Sequence, residues 1–345
     1  MTRTQEFHDI IRVEDKTANF TQQLNHISDS ITSLSRERHI QFVRFFLSEA
    51  SNQQAALEET LSCLGNFPAS IVQQPPLDGS KIVAWVYSTD RIPNPAYRHV
   101  WNCRMLSDKA GSLAQMEDIF QNYDSDLHNQ NMSVARSCIR TWIFVRDIDT
   151  NYSGIVKGRN NFFEKIGLTK DSHFISSTGI QGSSHNHERL VLMDAYAVDG
   201  LEQRQIEYLH AETHLNPTHE YGVAFERGTS VTYGDRRHIF ISGTASIDNK
   251  GEIVHPGDVT AQSARMMENI CELLKDADAT INDIKVSVVY LRDTADYIPV
   301  HSLFKQKFPN LDPIFVLAPV CRPGWLIEME CIAVMEMQTT GFQNF

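Results

Sequence analysis

Residues 327–334, IEMECIAV, are a short apolar stretch that recurs in the chain as VLMDAYAV at 191–198. The two stretches align without a gap, and both are typical of a buried strand, in which side chains two apart share one face. Glu328 and Glu330 therefore lie on the same face of the later strand, opposite Met329. Glu330 aligns with Asp194, whereas Glu328 aligns with Leu192, so the later copy carries one additional acid.

Further matches surround these two strands in the same order. YRHVWNCRMLSD (97–108) resembles DRRHIFISGTASID (235–248), and helical stretches that begin with Ala-Gln follow at 114 and 261. The strands SCIRTWIFVRDIDTNY (137–152) and IKVSVVYLRDTADY (284–297) come next, each with Arg-Asp near its end. The order strand, helix, strand, helix, strand thus occurs twice and predicts an α+β fold with helices on one face of each mixed sheet. We expect a degenerate first domain at 80–200, a connecting segment at 201–230 and a catalytic second domain at 231–345.

Residues 1–79 are expected to form an N-terminal helical arm and a linker. SITSLSRERHIQFVRFFLSEA (30–50) is interpreted as an amphipathic helix that begins at a serine, and FPASIVQQPPLDGS (67–80) as a proline-rich connection.

Composition excludes several classes of function. The formal net charge of -12 and the lack of a cationic cluster argue against nucleic-acid binding, which needs clustered Lys and Arg. No apolar segment approaches the length of a membrane helix, and the first twenty residues lack an apolar signal region, so we predict a cytoplasmic protein without a membrane partner. The histidines of HNH (185–187) have no matching second ligand pair, so we predict no metal site. The six cysteines lack a CxxC pair, which favours reduced thiols.

The second copy, about 230–337, resembles the reactive-intermediate deaminase family, also called the YjgF or L-PSP family. IFISGTASIDNKGEIVHPGDVTAQ, VSVVYLRDTADY and IEMECIAV carry the resemblance. It implies small domains that assemble as trimers, with clefts between neighbouring domains that bind small carboxylates and hydrolyse enamines or imines. Members carry a substrate-binding arginine after the proline that ends the last helix. Phe315 is near that position here, which argues against simple imine deamination.

The longer region 80–337 is more similar to the chorismatases, which consist of two such domains fused. The matching motifs are RTWIFVRDI (140–148), SSTGIQG (176–182), YGVAFERG (221–228), SGTASID (242–248) and VCRPGWLIEME (320–330). A Cys-Arg pair before a strand glutamate marks the branch that makes 3-hydroxybenzoate. The resemblance therefore implies cleavage of chorismate to pyruvate and 3-hydroxybenzoate without a metal or organic cofactor. Glu226 departs from the pattern, since a smaller residue is expected before the arginine.

Two residues are candidates for catalysis. Cleavage of chorismate begins with protonation of the enol methylene, which needs a carboxylic acid that is desolvated enough to stay protonated near neutral pH. Glu328 on its buried strand suits this role, and a structural ion pair is the alternative; for Glu330 we favour such a pairing role. Cys321 is expected to direct attack by the substrate's own hydroxyl rather than by water, and an inert buried thiol is the alternative.

The substrate-binding candidates follow from the two carboxylates of chorismate, which arginine can bind with two hydrogen bonds. They are Arg140, Arg227 and Arg322, with Tyr221 as a hydrogen-bond donor and Gly243, Thr244 and Ala245 as a backbone segment that approaches the ligand. Arg322 has an alternative role in bracing its loop, Tyr221 one in packing, and the Gly243 segment one as a plain bend.

Two other functions are also consistent with the sequence. One is an enamine or imine deaminase, and the other is a non-catalytic protein that binds small carboxylates. In each case the expected partner is a small-molecule substrate or ligand. Two assemblies agree with the resemblance, a homotrimer and a monomer whose domains pair within one chain.

Overall fold

The computed structural model describes residues 3–345, with the exception of the side chain of Tyr221. Each of three successive units contains its own sheet. The first unit is built from β1 (Glu6–Ile11), α1 (Phe20–Glu37), β2 (His39–Leu47), α2 (Ala50–Leu64), β3 (Ala69–Gln73) and β4 (Ile82–Thr89). The second is built from β5 (Arg98–Met105), α3 (Ser112–His128), α4 (Val134–Ser137), β6 (Cys138–Val145), α5 (Ile148–Lys165), β7 (Ser176–Gln181) and β8 (Val191–Asp199). The third is built from β9 (Ile206–Leu209), β10 (Gly228–Thr232), β11 (Arg236–Ala245), α6 (Val259–Asp276), β12 (Ile284–Leu291), α7 (Tyr297–Lys307), β13 (Ile314–Leu317) and β14 (Ile327–Glu336).

All three sheets have the same topology. Their strand orders are β1-β4-β2-β3, β5-β8-β6-β7 and β11-β14-β12-β13, and β10 and β9 extend the third sheet beyond β11. Within each set of four, the last pair is parallel and the other pairs are antiparallel. Helices pack on these mixed sheets, so the predicted α+β fold with tandem related domains is confirmed.

The three sheets also share one register. In each unit, one inner strand (β2, β6 or β12) has an antiparallel neighbour (β4, β8 or β14) and a parallel neighbour (β3, β7 or β13). The last residue of the inner strand pairs with the first residue of the antiparallel neighbour and with the last residue of the parallel neighbour. The sets are Leu47 with Ile82 and Gln73, Val145 with Val191 and Gln181, and Leu291 with Ile327 and Leu317. Because the registers coincide, Val83, Leu192 and Glu328 occupy equivalent positions in the three units.

The N-terminal region is not the helical arm that the sequence analysis expected. It contains two helices, but it also contributes a four-stranded sheet, of which β3 lies inside the expected linker and β4 lies beyond the expected boundary at 79. The misread segment is HIQFVRFFL (39–47), whose last six residues are all buried. A continuous apolar run fits a strand that is covered on both faces as well as a buried helix, and periodicity cannot separate the two.

Two buried ion pairs join the units in sequence. Arg44 on β2 contacts Asp194 on β8 at 3.0 Å, and Arg140 on β6 contacts Glu330 on β14 at 2.7 Å. Each arginine thus comes from one unit and each carboxylate from the next. The indole Nε1 of Trp142 donates a second hydrogen bond to Glu330 at 2.8 Å. These contacts fix how the second sheet sits against the first and the third.

None of the helices in the described part of the chain combines the length and the apolar composition that a bilayer crossing requires.

We predict that Arg44→Met lowers the free energy of unfolding by about 3–5 kcal/mol, because it leaves the carboxylate of Asp194 buried without its cation. Urea denaturation followed by circular dichroism measures the loss. Lys275→Met is the matched control, since the ion pair of Lys275 with Glu272 is exposed and is expected to contribute less than about 1 kcal/mol. Equal losses in the two variants would contradict a structural role for the Arg44 pair.

Candidate active site

A cavity lies between the second and third units, and we call it the Glu328 cavity. The second unit contributes residues of α5 and β7, and the third contributes the end of β11, the loop before β14 and the start of β14. The connecting segment closes one side. The lining residues are Tyr152, Arg159, Ser177, Gly179, Val223, Phe225, Arg227, Gly243, Ala245, Ile247, Cys321, Arg322, Trp325 and Glu328.

Glu328 is the second residue of β14, where it pairs with Ala245 on β11 and Tyr290 on β12. Its side chain faces the cavity from the middle of the sheet and is 5% exposed. Burial, followed by repulsion from Glu330, raises the pKa of Glu328 to about 8 against the opposing effects of Arg140 and Arg227. The group is therefore a protonated carboxylic acid at neutral pH, which is the form that can donate a proton.

Gly243 makes room for this carboxyl group. A β-carbon at position 243 would overlap Oε1 of Glu328 and would lie 2.9 Å from its Cδ. The backbone N–H of Gly243 donates to Oγ1 of Thr178 at 2.9 Å, which fixes the strand in this close approach. The pairing of β11 with β14 is irregular between Ile241 and Thr244, at the same point. A side chain at position 243 would thus displace the carboxyl group of Glu328 from its present position.

The other two residues of the predicted backbone segment differ in placement. Ala245 lines the Glu328 cavity beside the acid. Thr244 is buried, and its hydroxyl donates to the carbonyl of Ser242 at 2.9 Å, so it points into the sheet rather than into the cavity.

Cys321 lies in the loop that leads into β14 and shares the cavity with Glu328. Burial, followed by the nearby Glu328, raises the pKa of the Cys321 thiol to about 12, against the opposing effect of Tyr152. The thiol is consequently neutral at physiological pH and is a poor nucleophile. It fills space and offers a weak hydrogen bond next to the acid.

Three arginines surround the cavity. Arg227 donates to the backbone and side-chain oxygens of Asn216 at 3.0 and 3.2 Å, and Arg322 lies over the ring of Trp325 at 4.7 Å. Arg159, on α5, is 3% exposed and was not recognised in the sequence. Its spacing could have identified it, because Arg159 lies four residues after Ile155 and three before Phe162. This spacing places Arg159 on the buried face of the helix.

Arg140 lies one layer behind the cavity rather than in its lining. Its guanidinium group is engaged by Glu330, by the hydroxyl of Thr178 and by Ser242 at 3.4 Å. The structure therefore brings Glu328, Cys321, Arg227, Arg322, Gly243 and Ala245 together, and it places Arg140 and Thr244 outside that group. Tyr221 belongs to the turn Thr218–Tyr221 of the connecting segment, and its side chain lies outside the described residues.

Glu226, the departure noted in the sequence, faces away from the Glu328 cavity. Its carboxylate accepts a hydrogen bond from the backbone N–H of Phe174 at 2.7 Å, and it lines a separate cavity on the far side of the segment. The longer side chain is thus accommodated without filling the space around Glu328.

The arrangement combines a neutral acid, a neutral thiol and three guanidinium groups around one cavity. The positive charges of the guanidinium groups suit an anion with more than one carboxylate. The protonated acid suits a substrate that is activated by protonation at carbon or oxygen. Among residues 3–345, no cluster of His, Cys, Asp and Glu has the form of a metal site.

Comparisons with known proteins identify related sequences and a related fold. The family model described as Endoribonuclease L-PSP matches residues 226–335, which contain the third unit from β10 to β14 except for its last residue. A crystal structure of a chorismatase has a TM-score of 0.69 at 16% identity and covers 96% of this chain and 99% of its own, so the fold is shared along almost the whole length.

Two curated relatives match part of the chain. The 3-aminoacrylate deaminase RutC of Acinetobacter baylyi is 30% identical over 97 residues, which is 28% of this chain and 77% of the relative. A RutC family protein of Pyrococcus abyssi is 39% identical over 101 residues, which is 28% of this chain and 79% of the relative. Through this match, which spans most of both relatives, the chain belongs to the L-PSP family, the YjgF superfamily that includes the RutC proteins.

Proposed function

We propose that the chain is a chorismatase that cleaves chorismate into pyruvate and 3-hydroxybenzoate in the Glu328 cavity. The observation that carries the proposal is a buried glutamic acid, whose pKa is raised to about 8, in a cavity that three arginines also line. Chorismate has two carboxylates for the arginines and an enol ether for the acid. The shared fold with a chorismatase supports the assignment at the level of architecture.

The first step is protonation of the enol methylene carbon by Glu328. The methylene becomes a methyl group, and the positive charge is shared with the ether oxygen as an oxocarbenium ion. The ether bond to the ring then breaks, its electron pair goes to the oxygen, and pyruvate is released. Glu328 is left as a carboxylate whose charge is unfavourable beside Glu330, which favours its reprotonation.

The second step decides the product. If the hydroxyl on the neighbouring ring carbon attacks the carbon that pyruvate leaves, it loses its proton and forms an epoxide. Opening of the epoxide returns a proton to that oxygen, and loss of one ring proton gives 3-hydroxybenzoate. No water is consumed on this route. If water attacks instead, one water is added and the product is a dihydroxycyclohexadiene carboxylate. Cys321 and Tyr152 occupy the wall beside Glu328, where they exclude water by filling the space.

A second candidate is an enamine deaminase, which the similarity to a 3-aminoacrylate deaminase favours. Hydrolysis of an enamine also begins with protonation at carbon, so the same acid would serve. Phe315, which stands near the position of the family's substrate-binding arginine, lines a different cavity and does not reach the Glu328 cavity. The assay that separates the candidates offers chorismate and 2-aminoacrylate in parallel, couples pyruvate to lactate dehydrogenase and identifies the ring product by chromatography. Retention of unchanged chorismate would indicate a binding protein.

We predict that Glu328→Gln lowers turnover by about 10²-fold or more, because the amide keeps the shape of the acid but has no acidic proton to donate. Glu336→Gln, at the exposed end of the same strand, is the matched control and is expected to keep wild-type turnover. The pH profile gives an independent readout. Since the protonated form is active, kcat/KM is expected to be constant at low pH and to fall as pH rises above the pKa of about 8. Wild-type pyruvate release by Glu328→Gln would contradict the assignment.

We also predict that Cys321→Ala still releases pyruvate but shifts the ring product from 3-hydroxybenzoate toward the dihydroxycyclohexadiene carboxylate. Removing the thiol leaves space for a water molecule beside the acid, whereas the first protonation is unaffected. Cys331→Ala is the control, because Cys331 is a buried cysteine of β14 that does not line the Glu328 cavity. Chromatography of the products measures the ratio. An unchanged ratio at the normal rate would assign Cys321 to packing alone.

A further inference from the structure

Another cavity lies between the first and third units, and we call it the Val83 cavity. It is lined by Arg12, which follows the end of β1, and the start of β4 from the first unit, and by α7 and β13 from the third. These elements are the counterparts of those that line the Glu328 cavity, since α7 corresponds to α5 and β13 to β7 in the shared topology.

The strand registers show which residues of the Val83 cavity and the Glu328 cavity are equivalent at two positions. Val83 follows the first residue of β4 as Glu328 follows the first residue of β14, so an aliphatic side chain stands where the acid stands. Phe315 lies two residues before the end of β13, as Gly179 lies two before the end of β7. The Val83 cavity thus has the location of an active site but lacks the proton donor.

Aromatic side chains form one wall of the Val83 cavity. The ring of Phe315 lies 5.6 Å from that of Tyr297, 5.7 Å from that of His301 and 5.5 Å from that of Phe304, with each pair close to perpendicular. Val83 and Ile314 add aliphatic surface. Such a wall is suited to a flat ring, which can stack on or meet aromatic edges.

The charges around the cavity favour an anion. Asp312 is paired with Arg12 at 2.5 Å, and Asp78 is paired with Lys16 at 2.6 Å, so both carboxylates of the lining have cationic partners. His301 and Lys305 lie one turn apart on α7 and both line the cavity. Burial lowers the pKa of His301, and Lys305 and Arg12 lower it further against the opposing effect of Asp312, which indicates a positive local potential.

We propose that the Val83 cavity is a non-catalytic binding site for a small planar ring carboxylate, with the ring against Phe315 and Tyr297 and the carboxylate toward Lys305. The site itself goes beyond the proposed function and is argued from the Val83 cavity alone. The count of two carboxylate sites per chain, one that reacts and one that only binds, rests on the proposed function.

Isothermal titration with benzoate tests the proposal, because benzoate has the ring and the carboxylate but no enol ether. Wild-type protein is expected to bind two benzoates per chain. Arg159→Ala is expected to remove binding in the Glu328 cavity only, and Val83→Trp to remove binding in the Val83 cavity only while leaving turnover unchanged. Lys305→Glu is expected to weaken the second site about tenfold or more. Lys307→Glu, on the same helix but outside the cavity lining, is the matched control.

Binding of one benzoate per chain that is lost with Arg159→Ala and kept with Val83→Trp would overturn the proposal. If Val83→Trp fails to fold, the variants of the two exposed lysines provide the test. Equal benzoate affinities in Lys305→Glu and Lys307→Glu would overturn the proposal, and a loss of benzoate affinity in Lys305→Glu alone would support it. Failure of the proposed function has a different signature, because chorismate would then yield no pyruvate whatever the benzoate stoichiometry.

Discussion

The burial of Glu328 where the second and third units meet is the constraint on which its chemistry depends. Glu330 lies on the same face of β14 and is also buried there. Arg140 and Trp142 donate their hydrogen bonds to Glu330, which joins the two units. Burial, followed by repulsion from Glu330, raises the pKa of Glu328 to about 8. The packing of two units against each other thereby favours the protonated form of the acid.

The threefold repetition of one unit explains where cavities can form, and single residues explain what each cavity can do. The equivalent positions Val83, Leu192 and Glu328 carry two aliphatic side chains and one acid on the same scaffold. Gly243 is part of the same specialisation, because the bulk of the acid leaves no room for a side chain on the facing strand. The chemical character of each cavity thus depends on a few residues that differ between the units, and not on the fold that the units share.

The sequence was sufficient to recognise the repeat that the second and third units share, because their strands and Arg-Asp motifs still align. It did not predict that β4 belongs to the first unit, or that β9 and β10, in and beside the expected connecting segment, extend the third sheet. It was insufficient for the first unit, whose strand HIQFVRFFL is apolar without the alternation that would have distinguished it from a helix. Within the site, Glu328 and Cys321 could be identified from one continuous motif. Arg159 and Tyr152 could not, because they reach the cavity from a helix of the other unit. Arg140 was predicted as a ligand-binding residue from its motif, and only the packing of β6 against β14 shows that its partner is Glu330.

The most direct test of this account is the pKa of Glu328 itself. Protein labelled with ¹³C at the glutamate carboxyl carbon can be titrated by NMR, and the resonance of Glu328 is the one that disappears in Glu328→Gln. The account predicts a carboxyl that stays protonated through neutral pH and titrates at about 8. Titration between about 4 and 5, as for a solvated glutamate, would contradict it.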